Sequence, residues 1–254
     1  WRLEQHHEEQ SGYRFERDTT RQTETLARGG LGTPVAYTGM TWSGFRCSDD
    51  ACTYGYNIPA NMYAAVVLDY MVEIADKVWQ DEVLRAGAAD LGRDIRAGIE
   101  KYGTVEDAEF GKMYVYEADG LGHQLLMDDA GVPGLLSAPY YGYCDKNDPT
   151  YRSTRRFALS PRNPFFFAGK ALSGLGSPHT KPDFVWPMSI IMQGFTVQPG
   201  ENLYALIEMI AHADDGTSYV HESVHKDDPS RYTRPWFAWV NSLYSELLIK
   251  TFAK

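Results

Sequence analysis

The hydrophobic pattern most clearly predicts two long helices in direct succession. In residues 59–79, apolar side chains recur at helical spacing at Met62, Val66, Tyr70, Ile74 and Val78. Pro59 suits a first helical turn. A second helix is predicted over residues 80–103, with Gly103 as its stop, and its buried stripe is expected at Val83, Leu84, Leu91, Ile95 and Ile99. Because almost no linker separates the two helices, we expect an antiparallel hairpin.

Further helices and one strand are predicted along the rest of the chain. The strand is expected at residues 112–119, and it ends in an Asp-Gly turn. The helices are expected from Pro133, over residues 151–159, 185–197 and 199–213, and through Pro235 to the end of the chain. No alternation of strands and helices is visible, so the pattern indicates an all-α protein with short strands in its loops.

Long loops rich in aromatic and acidic residues separate the predicted helix pairs. Loops of such length are more often functional than not in a compact domain. If the pairs stand in a ring, their loops converge over one mouth, as in an (α/α) barrel. The helices predicted here amount to about half of a twelve-helix ring, and Trp1 is not an initiator. We therefore expect residues 1–254 to be one domain fragment, cut from a longer protein or left after its start was removed.

Composition excludes several classes of function. The net charge is −10, and no stripe of lysine or arginine is present, which argues against a nucleic-acid partner. No run of about 18 apolar residues predicts a membrane span. The three cysteines, Cys47, Cys52 and Cys144, are too few for a disulfide framework or a zinc cluster. Cys47 and Cys52 could form a bridge in an oxidising compartment, but free thiols are the favoured prediction.

The segment SDDACTYGY, residues 48–56, places Asp49 and Asp50 among aromatic side chains. One interpretation is a loop in which an aspartate caps the following helix. The other is a carboxylic acid that its aromatic neighbours desolvate, so that it keeps its proton for a leaving oxygen. Those aromatic neighbours are Trp42, Phe45, Tyr54 and Tyr56.

A second acidic segment, SYVHESVHKDDPSRYT, covers residues 218–233. Glu222 stands beside His221, and its polar surroundings would let it stay ionised and activate a water. The spacing of His221 and His225 differs from the HExxH motif of metalloproteases, and the segment favours extended chain over helix. We therefore predict no zinc site here.

Two other loops carry groups suited to sugar hydroxyls. Residues 121–133 contain His123, Gln124, Asp128 and Asp129, although either aspartate could instead cap the helix predicted from Pro133. Residues 174–187 contain Trp186. Loops that mix carboxylates, amides and aromatic rings favour a sugar site, and two carboxylates suit the cleavage of a glycosidic bond. The residues alone indicate a carbohydrate-active helical barrel.

Several long segments resemble glycoside hydrolase family 125, the metal-independent exo-α-1,6-mannosidases. The similar segments are TWSGFRCSDDACTYGYNIPANMYAA, LGHQLLMDDAGVPGLLSAPYYGY, VWPMSIIMQGFT and HESVHKDDPSRYTRPWFAWVNSLYSEL. The resemblance implies an (α/α)6 barrel, of which residues 1–254 would be the C-terminal part of the catalytic domain, without the first helices. It also implies inverting hydrolysis of non-reducing terminal α-1,6-linked mannose, with no metal or other cofactor and with a manno-oligosaccharide, N-glycan or mannan as substrate.

The resemblance assigns roles to individual residues. It implies that Asp49 is the general acid, with Asp50 as the alternative, and that Glu222 is the general base. The residues expected to contact substrate are Arg46, Asp50, Tyr56, His123, Gln124, Asp128, Asp129, Trp186 and His221. Two other hypotheses stay open: a non-catalytic mannan-binding or scaffold protein on the same fold, and a barrel enzyme specific for another sugar.

Overall fold

The computed structural model describes residues 1–253. The chain divides into two compact units. Unit 1 comprises Trp1–Leu126 and Tyr141–Ser153, and unit 2 comprises Met127–Tyr140 and Thr154–Lys254. Whether the chain functions as the single domain expected from its sequence stays a prediction.

Helices are the main elements, and short antiparallel strands lie between them. The helices are α1 (His7–Gln10), α2 (Ala27–Gly30), α3 (Ile58–Ile74), α4 (Glu82–Tyr102), α5 (Pro149–Ala158), α6 (Pro187–Phe195), α7 (Leu203–Ala211) and α8 (Ala238–Phe252). The strands are β1 (Tyr56–Asn57), β2 (Thr104–Asp107), β3 (Gly111–Tyr114), β4 (Glu117–Ala118), β5 (Gln124–Leu125), β6 (Phe166–Ala168), β7 (Ser173–Leu175), β8 (Phe184–Val185), β9 (Ser223–His225) and β10 (Asp228–Thr233).

The predicted helix pair of unit 1 is confirmed. Asn57 caps α3 by accepting a hydrogen bond from the backbone N–H of Ala60, and Pro59 lies in the first turn. A π-helical turn, Ala75–Trp79, extends α3. Gln80 then adopts a left-handed conformation, and the Asp81 carboxylate caps α4 at the N–H of Leu84. The reversal between the helices therefore takes two residues, and α3 packs along α4.

Apolar residues are exposed at the end of the hairpin where the two helices join, and the predicted burial of Val83 is wrong. Met62 and Val66 are buried, but Tyr70, Ile74 and Val78 are exposed on the last turns of α3 and its extension. Val83, at the start of α4, is 84 % exposed. Apolar periodicity identifies a helix, but it does not show how far a packing partner extends along it. By length and composition Ile58–Trp79 could also cross a membrane, although half of its most apolar window is buried within the protein, as in a core helix.

Two other predictions need correction. The strand expected at residues 112–119 is interrupted, so that β3 pairs with β2 and β4 joins a different sheet. No helix begins at Pro133; the segment forms turns instead. Those turns curl around the Asp128 carboxylate, which accepts hydrogen bonds from the N–H groups of Leu135 and Leu136. These N–H groups bond to a side-chain carboxylate and not to the backbone carbonyls of a helix, so the predicted helix does not form.

A three-stranded antiparallel sheet holds the polar loops of unit 1. Strand β4 is central and pairs with β1 on one side and β5 on the other. Gly120, just after β4, has a φ of 76°, and a Cβ there would lie 2.6 Å from Thr38. A glycine at this position therefore lets the chain turn sharply out of the sheet.

Unit 2 is built around α6. Its residues Met188, Ile190 and Ile191 are fully buried, and α7 and α8 pack against it. The sheet of this unit has the order β10-β9-β8, so β9 is its central strand. Glu222 directly precedes β9, and a buried strand and the core therefore fix the position of this residue.

Candidate active site

The two adjacent aspartates of unit 1 lie on a tight hairpin. Phe45 and Ala51 form an isolated antiparallel bridge, and the Arg46 N–H donates to the carbonyl of Asp50 at 2.8 Å. Asp49 sits at the turn with a φ of 69° and is exposed, whereas Asp50 is 4 % exposed. Aspartate is one of the few residue types that tolerate this left-handed conformation. The hairpin thus presents the Asp49 carboxyl to solvent.

The alternative in which these aspartates cap the following helix is wrong, because Asn57 caps α3. The expected aromatic shielding of Asp49 is also not found in unit 1. Trp42 stacks on His7 at 3.6 Å, and Phe45 packs edge-on against Phe15. These rings are therefore packing residues for the N-terminal segment, and Asp49 stays exposed.

Arg46, predicted as a sugar contact, lies in a buried ion pair. Its Nε is 2.6 Å from Oε1 of Glu117, and the side chains of Arg46 and Glu117 are 5 % and 0 % exposed. The guanidinium also lies over the ring of Tyr116. Burial disfavours the charge of Arg46, but the hydrogen bond and the charge of Glu117 outweigh it, so the pKa of the guanidinium is raised.

His123 stands at the surface and is held by Asp119. Its Nδ1 lies 2.6 Å from the Asp119 carboxylate, which also accepts from the N–H groups of Leu121 and His123. The imidazole stacks on Tyr54 at a centroid distance of 5.8 Å. His123 therefore keeps an oriented, exposed ring edge that could meet a polar ligand.

Two other predicted contacts of unit 1 are engaged within the protein. The amide nitrogen of Gln124 donates to the carbonyls of Tyr102 and Thr104. Tyr56 is fully buried, and its hydroxyl donates to the carbonyl of Ala36 at 3.0 Å. Burial raises the pKa of Tyr56 to about 12. Both side chains hold loops in place in the structure as it stands.

Glu222, the predicted base, is a buried carboxylate paired with an arginine. Its Oε1 lies 3.0 Å from Nε of Arg234, and the Glu222 side chain is 7 % exposed. Arg234 directly follows β10, has a φ of 43° and is 60 % exposed through its side chain. The guanidinium also lies over the ring of Phe237 at 5.5 Å. The edge of this sheet therefore holds an ion-paired carboxylate beside an accessible cation.

His221 and Trp186 are two buried residues near this pair. His221 adjoins Glu222 in the sequence, and Trp186 contacts Phe237, over whose ring Arg234 lies. The ring nitrogens of His221 lie 2.8 Å from the carbonyl of Pro235 and 3.2 Å from that of Asp214. Trp186 is 4 % exposed and packs edge-on against Phe237. Both rings support the segment around Glu222.

Asp128 and Asp129 are almost completely buried in the turns after β5. Asp129 accepts from the N–H of Gly131 at 3.3 Å. Burial raises the pKa of Asp128 to about 7, although the hydrogen bonds from the Leu135 and Leu136 backbones act in the opposite direction. The alternative in which Asp128 or Asp129 caps a helix from Pro133 is wrong, because no helix begins there and Asp128 instead accepts hydrogen bonds from N–H groups within a series of turns.

The structure groups the predicted residues within each unit. In unit 1 the hairpin joins Arg46, Asp49 and Asp50, and Tyr54 connects it to His123 by stacking. In unit 2 His221 and Glu222 adjoin Arg234, and Phe237 contacts both Arg234 and Trp186.

Three charged residues that hold these groups were missed from the sequence: Glu117, Asp119 and Arg234. The available signal was a pair of acids inside the apolar strand pattern YVYEAD, because a buried acid requires a partner. Among residues 1–253, no group of three or more His, Cys, Asp and Glu side chains could hold a metal ion.

Comparison with known proteins identifies the family. A family model described as metal-independent alpha-mannosidase (GH125) matches residues 1–249. The chain belongs to the GH125 family. The resemblance found in the sequence motifs is therefore confirmed over nearly the whole chain.

Two similar proteins show how much of a relative the chain spans. The Meiotically up-regulated gene 157 protein of Schizosaccharomyces pombe is 41 % identical over 239 residues, which cover 93 % of this chain and 47 % of that protein. A solved Streptococcus pneumoniae structure, described as a metal-independent alpha mannosidase in a non-productive complex with alpha-1,6-mannobiose, is 44 % identical with a TM-score of 0.95. That match covers 98 % of this chain and 59 % of the solved one.

The chain therefore spans about half the length of the curated relative that it matches. It shares the fold of a GH125 structure, and the helical barrel expected from the sequence agrees with that family. The number of helix pairs in the barrel stays a prediction.

Proposed function

We propose that this chain carries the catalytic carboxyl groups of an exo-acting glycoside hydrolase. The enzyme would remove non-reducing terminal α-1,6-linked mannose from a manno-oligosaccharide, N-glycan or mannan by one inverting displacement, without a metal ion. In this proposal Asp49 is the general acid and Glu222 is the general base. The two residues would belong to the C-terminal part of an (α/α)6 barrel.

One observation carries the assignment of roles: the two carboxyl groups have opposite environments. Glu222 is buried and paired with the Arg234 guanidinium, and an ion-paired carboxylate has the charge that a general base needs. Asp49 is exposed at the turn of a hairpin whose base is anchored by buried residues. An ion-paired carboxylate is held in one orientation toward a water, and an exposed carboxyl is accessible to a leaving oxygen; these are the positions that a general base and a general acid require.

The reaction follows from these roles. Glu222 would take a proton from a water, whose oxygen then forms a bond to the anomeric carbon. The bond between that carbon and the leaving oxygen breaks on the opposite side, and Asp49 gives its proton to that oxygen. One such displacement inverts the anomeric configuration.

Exposure supports Asp49 over Asp50 as the acid. Asp50 is 4 % exposed and lies 3.4 Å from the Ser48 hydroxyl. A general acid must come within hydrogen-bond distance of the leaving oxygen. The exposed carboxyl of Asp49 can do so without rearrangement of the hairpin.

The family and the bound sugar of the relative support the substrate. The Streptococcus pneumoniae structure contains alpha-1,6-mannobiose. Residues 1–249 of this chain, which include both proposed catalytic carboxyl groups, match the GH125 model.

The test is hydrolysis of α-1,6-mannobiose by the intact protein, with the anomers of the product followed by NMR. We expect β-mannose as the first product, and α-mannose would overturn the inverting mechanism. Asp49→Asn and Glu222→Gln are each expected to lower kcat by about 100- to 10,000-fold. Glu208→Gln changes an exposed glutamate on α7 and should retain wild-type activity. If Asp50→Asn is inactive and Asp49→Asn is active, the acid is Asp50.

A further inference from the structure

Glu117 is a buried acid that the proposed reaction does not use. It lies in the central strand β4 and is fully buried. One carboxylate oxygen contacts Nε of Arg46 at 2.6 Å. The other accepts hydrogen bonds from the backbone N–H groups of Thr53 and Tyr54 at 2.8 and 3.0 Å. All these donors belong to one segment of the chain.

These donors lie on both sides of the hairpin that carries Asp49. Arg46 stands on the incoming side, and its own N–H closes the hairpin at the carbonyl of Asp50. Thr53 and Tyr54 follow on the outgoing side. The Asp49 N–H donates to the carbonyl of Arg46 at 3.0 Å, so a shift of Arg46 moves the turn directly.

We infer that Glu117 is the positioning residue of the proposed general acid: it clamps both sides of the hairpin and thereby fixes where the Asp49 carboxyl stands. This inference rests on the proposed function. Glu117 does not touch the reacting atoms in this role. Its neighbour along the chain, Asp119, holds His123 in a similar way, so the end of β4 supports two polar loops.

The inference predicts a dependence on the leaving group. A sugar alkoxide is a poor leaving group, so α-1,6-mannobiose requires the proton of a well-placed acid. Fluoride departs from α-mannosyl fluoride without that proton, while the same base-activated water attacks the same carbon. A misplaced acid therefore slows the first substrate far more than the second, because general acid catalysis depends on geometry.

The experiment compares Glu117→Gln with wild type on both substrates, in the intact protein. We expect kcat for α-1,6-mannobiose to fall about 10- to 100-fold, as for a small misplacement of a catalytic group, and kcat for α-mannosyl fluoride to change less than about threefold. Asp49→Asn lacks the acid itself, so it sets the largest attainable ratio between the loss of kcat on α-1,6-mannobiose and the loss on α-mannosyl fluoride. Equal losses on both substrates, or no loss on either, would overturn the inference.

Glu201→Gln is the matched control. Glu201 is an exposed glutamate that forms a two-pronged ion pair with the buried Arg155 in unit 2, at 2.6 and 2.8 Å, so the variant breaks an arginine–glutamate pair that does not involve the hairpin. Glu201→Gln should leave the ratio of the kcat values for the two substrates at the wild-type value.

If Glu117→Gln does not fold, Arg46→Lys tests the same clamp, because it keeps the charge but loses the guanidinium geometry. It must show the same selective loss on mannobiose. A wild-type protein that hydrolyses neither substrate would contradict the proposed function itself, and so would be distinct from failure of the inference.

Discussion

The guanidinium Nε of Arg234 lies 3.0 Å from the Glu222 carboxylate, although the arginine is 60 % exposed and the glutamate is 7 % exposed through their side chains. The buried member of the pair depends on a partner that solvent reaches. Arg234 also has a left-handed backbone and lies over Phe237. The charge that faces the proposed base is thus held by a residue just outside the sheet.

Arg234→Gln is expected to lower kcat for α-1,6-mannobiose by about tenfold or more, because the Glu222 carboxylate loses the partner that holds its orientation, and a small misplacement of a catalytic group lowers the rate strongly. Arg234→Lys should retain more activity. Steady-state kinetics on the two variants check this.

Arg231→Gln is the control for that prediction. Arg231 is an exposed arginine of β10, the strand that ends just before Arg234, and it lies over Phe184. If this control loses as much activity as Arg234→Gln, the effect is one of strand charge and the pairing with Glu222 is not its cause.

The backbone of Asp49 gives a stability prediction that is independent of activity. At a φ of 69°, asparagine and glycine are tolerated, whereas a β-branched residue is strained by about 1–2 kcal/mol. Asp49→Asn should therefore unfold in urea at the wild-type midpoint, and Asp49→Val should unfold earlier. Equal midpoints for the asparagine and valine variants would contradict the left-handed turn.

Asp128 predicts a pH dependence of stability. Burial raises its pKa to about 7 from 3.8, so the folded protein binds more protons than the unfolded protein between these values. The stability contribution is therefore full below pH 4 and is lost as the pH rises to about 7, with a magnitude on the order of 4 kcal/mol. Urea unfolding of wild type between pH 4.5 and 7.5 measures this slope.

Asp128→Asn should flatten that slope, because the amide does not titrate. It should also lower stability at pH 4.5, since an amide offers one acceptor oxygen to the three backbone N–H groups that Asp128 binds. Asp76→Asn, at an exposed position, should keep the wild-type slope. Identical slopes for wild type and Asp128→Asn would contradict the assignment of this pH dependence to Asp128.

The thiols provide an independent probe of the Glu117 clamp. None of the three cysteines forms a disulfide, as the sequence predicted. Burial raises the pKa of Cys144 to about 12 and that of Cys52 well above its ordinary value, and the Glu117 carboxylate raises the latter further. Both thiols should react slowly with iodoacetamide at pH 8, because the thiolate is the reactive form.

In Glu117→Gln, labelling of Cys52 should accelerate about tenfold, since a neighbouring negative charge is removed and the hairpin loosens. Cys144 lies outside the hairpin and should label at its wild-type rate. Peptide mass spectrometry resolves the two sites. Parallel acceleration of both thiols would indicate general loosening of the fold.

Local signals predicted the helices well and their surroundings less well. Pro59, the apolar period and Gly103 marked α3 and α4 because helix start, phase and stop are local properties. Val83 belongs to the same apolar pattern, yet it is 84 % exposed. Burial depends on what another part of the chain places beside a residue, and no local pattern records that.

In the candidate site, too, local signals identified segments but did not show how their side chains are placed. The acidic segments around Asp49 and Glu222 were recognisable by their composition and family resemblance. Arg46 and Tyr56 were expected to contact substrate, but the structure turns them inward, onto Glu117 and the carbonyl of Ala36. A motif indicates which residues are near each other in sequence; it does not indicate which way each side chain points.

The clamp on the hairpin also orders events in folding. Arg46 and Glu117 are separated by 71 positions, so a long stretch of chain, including the whole α3–α4 pair, must be brought together before the two meet. The α3–α4 pair can assemble from neighbouring residues first. We therefore expect the turn that bears Asp49 to acquire its final shape late, when β4 docks, so that the proposed acid is placed only after the helices around it have formed.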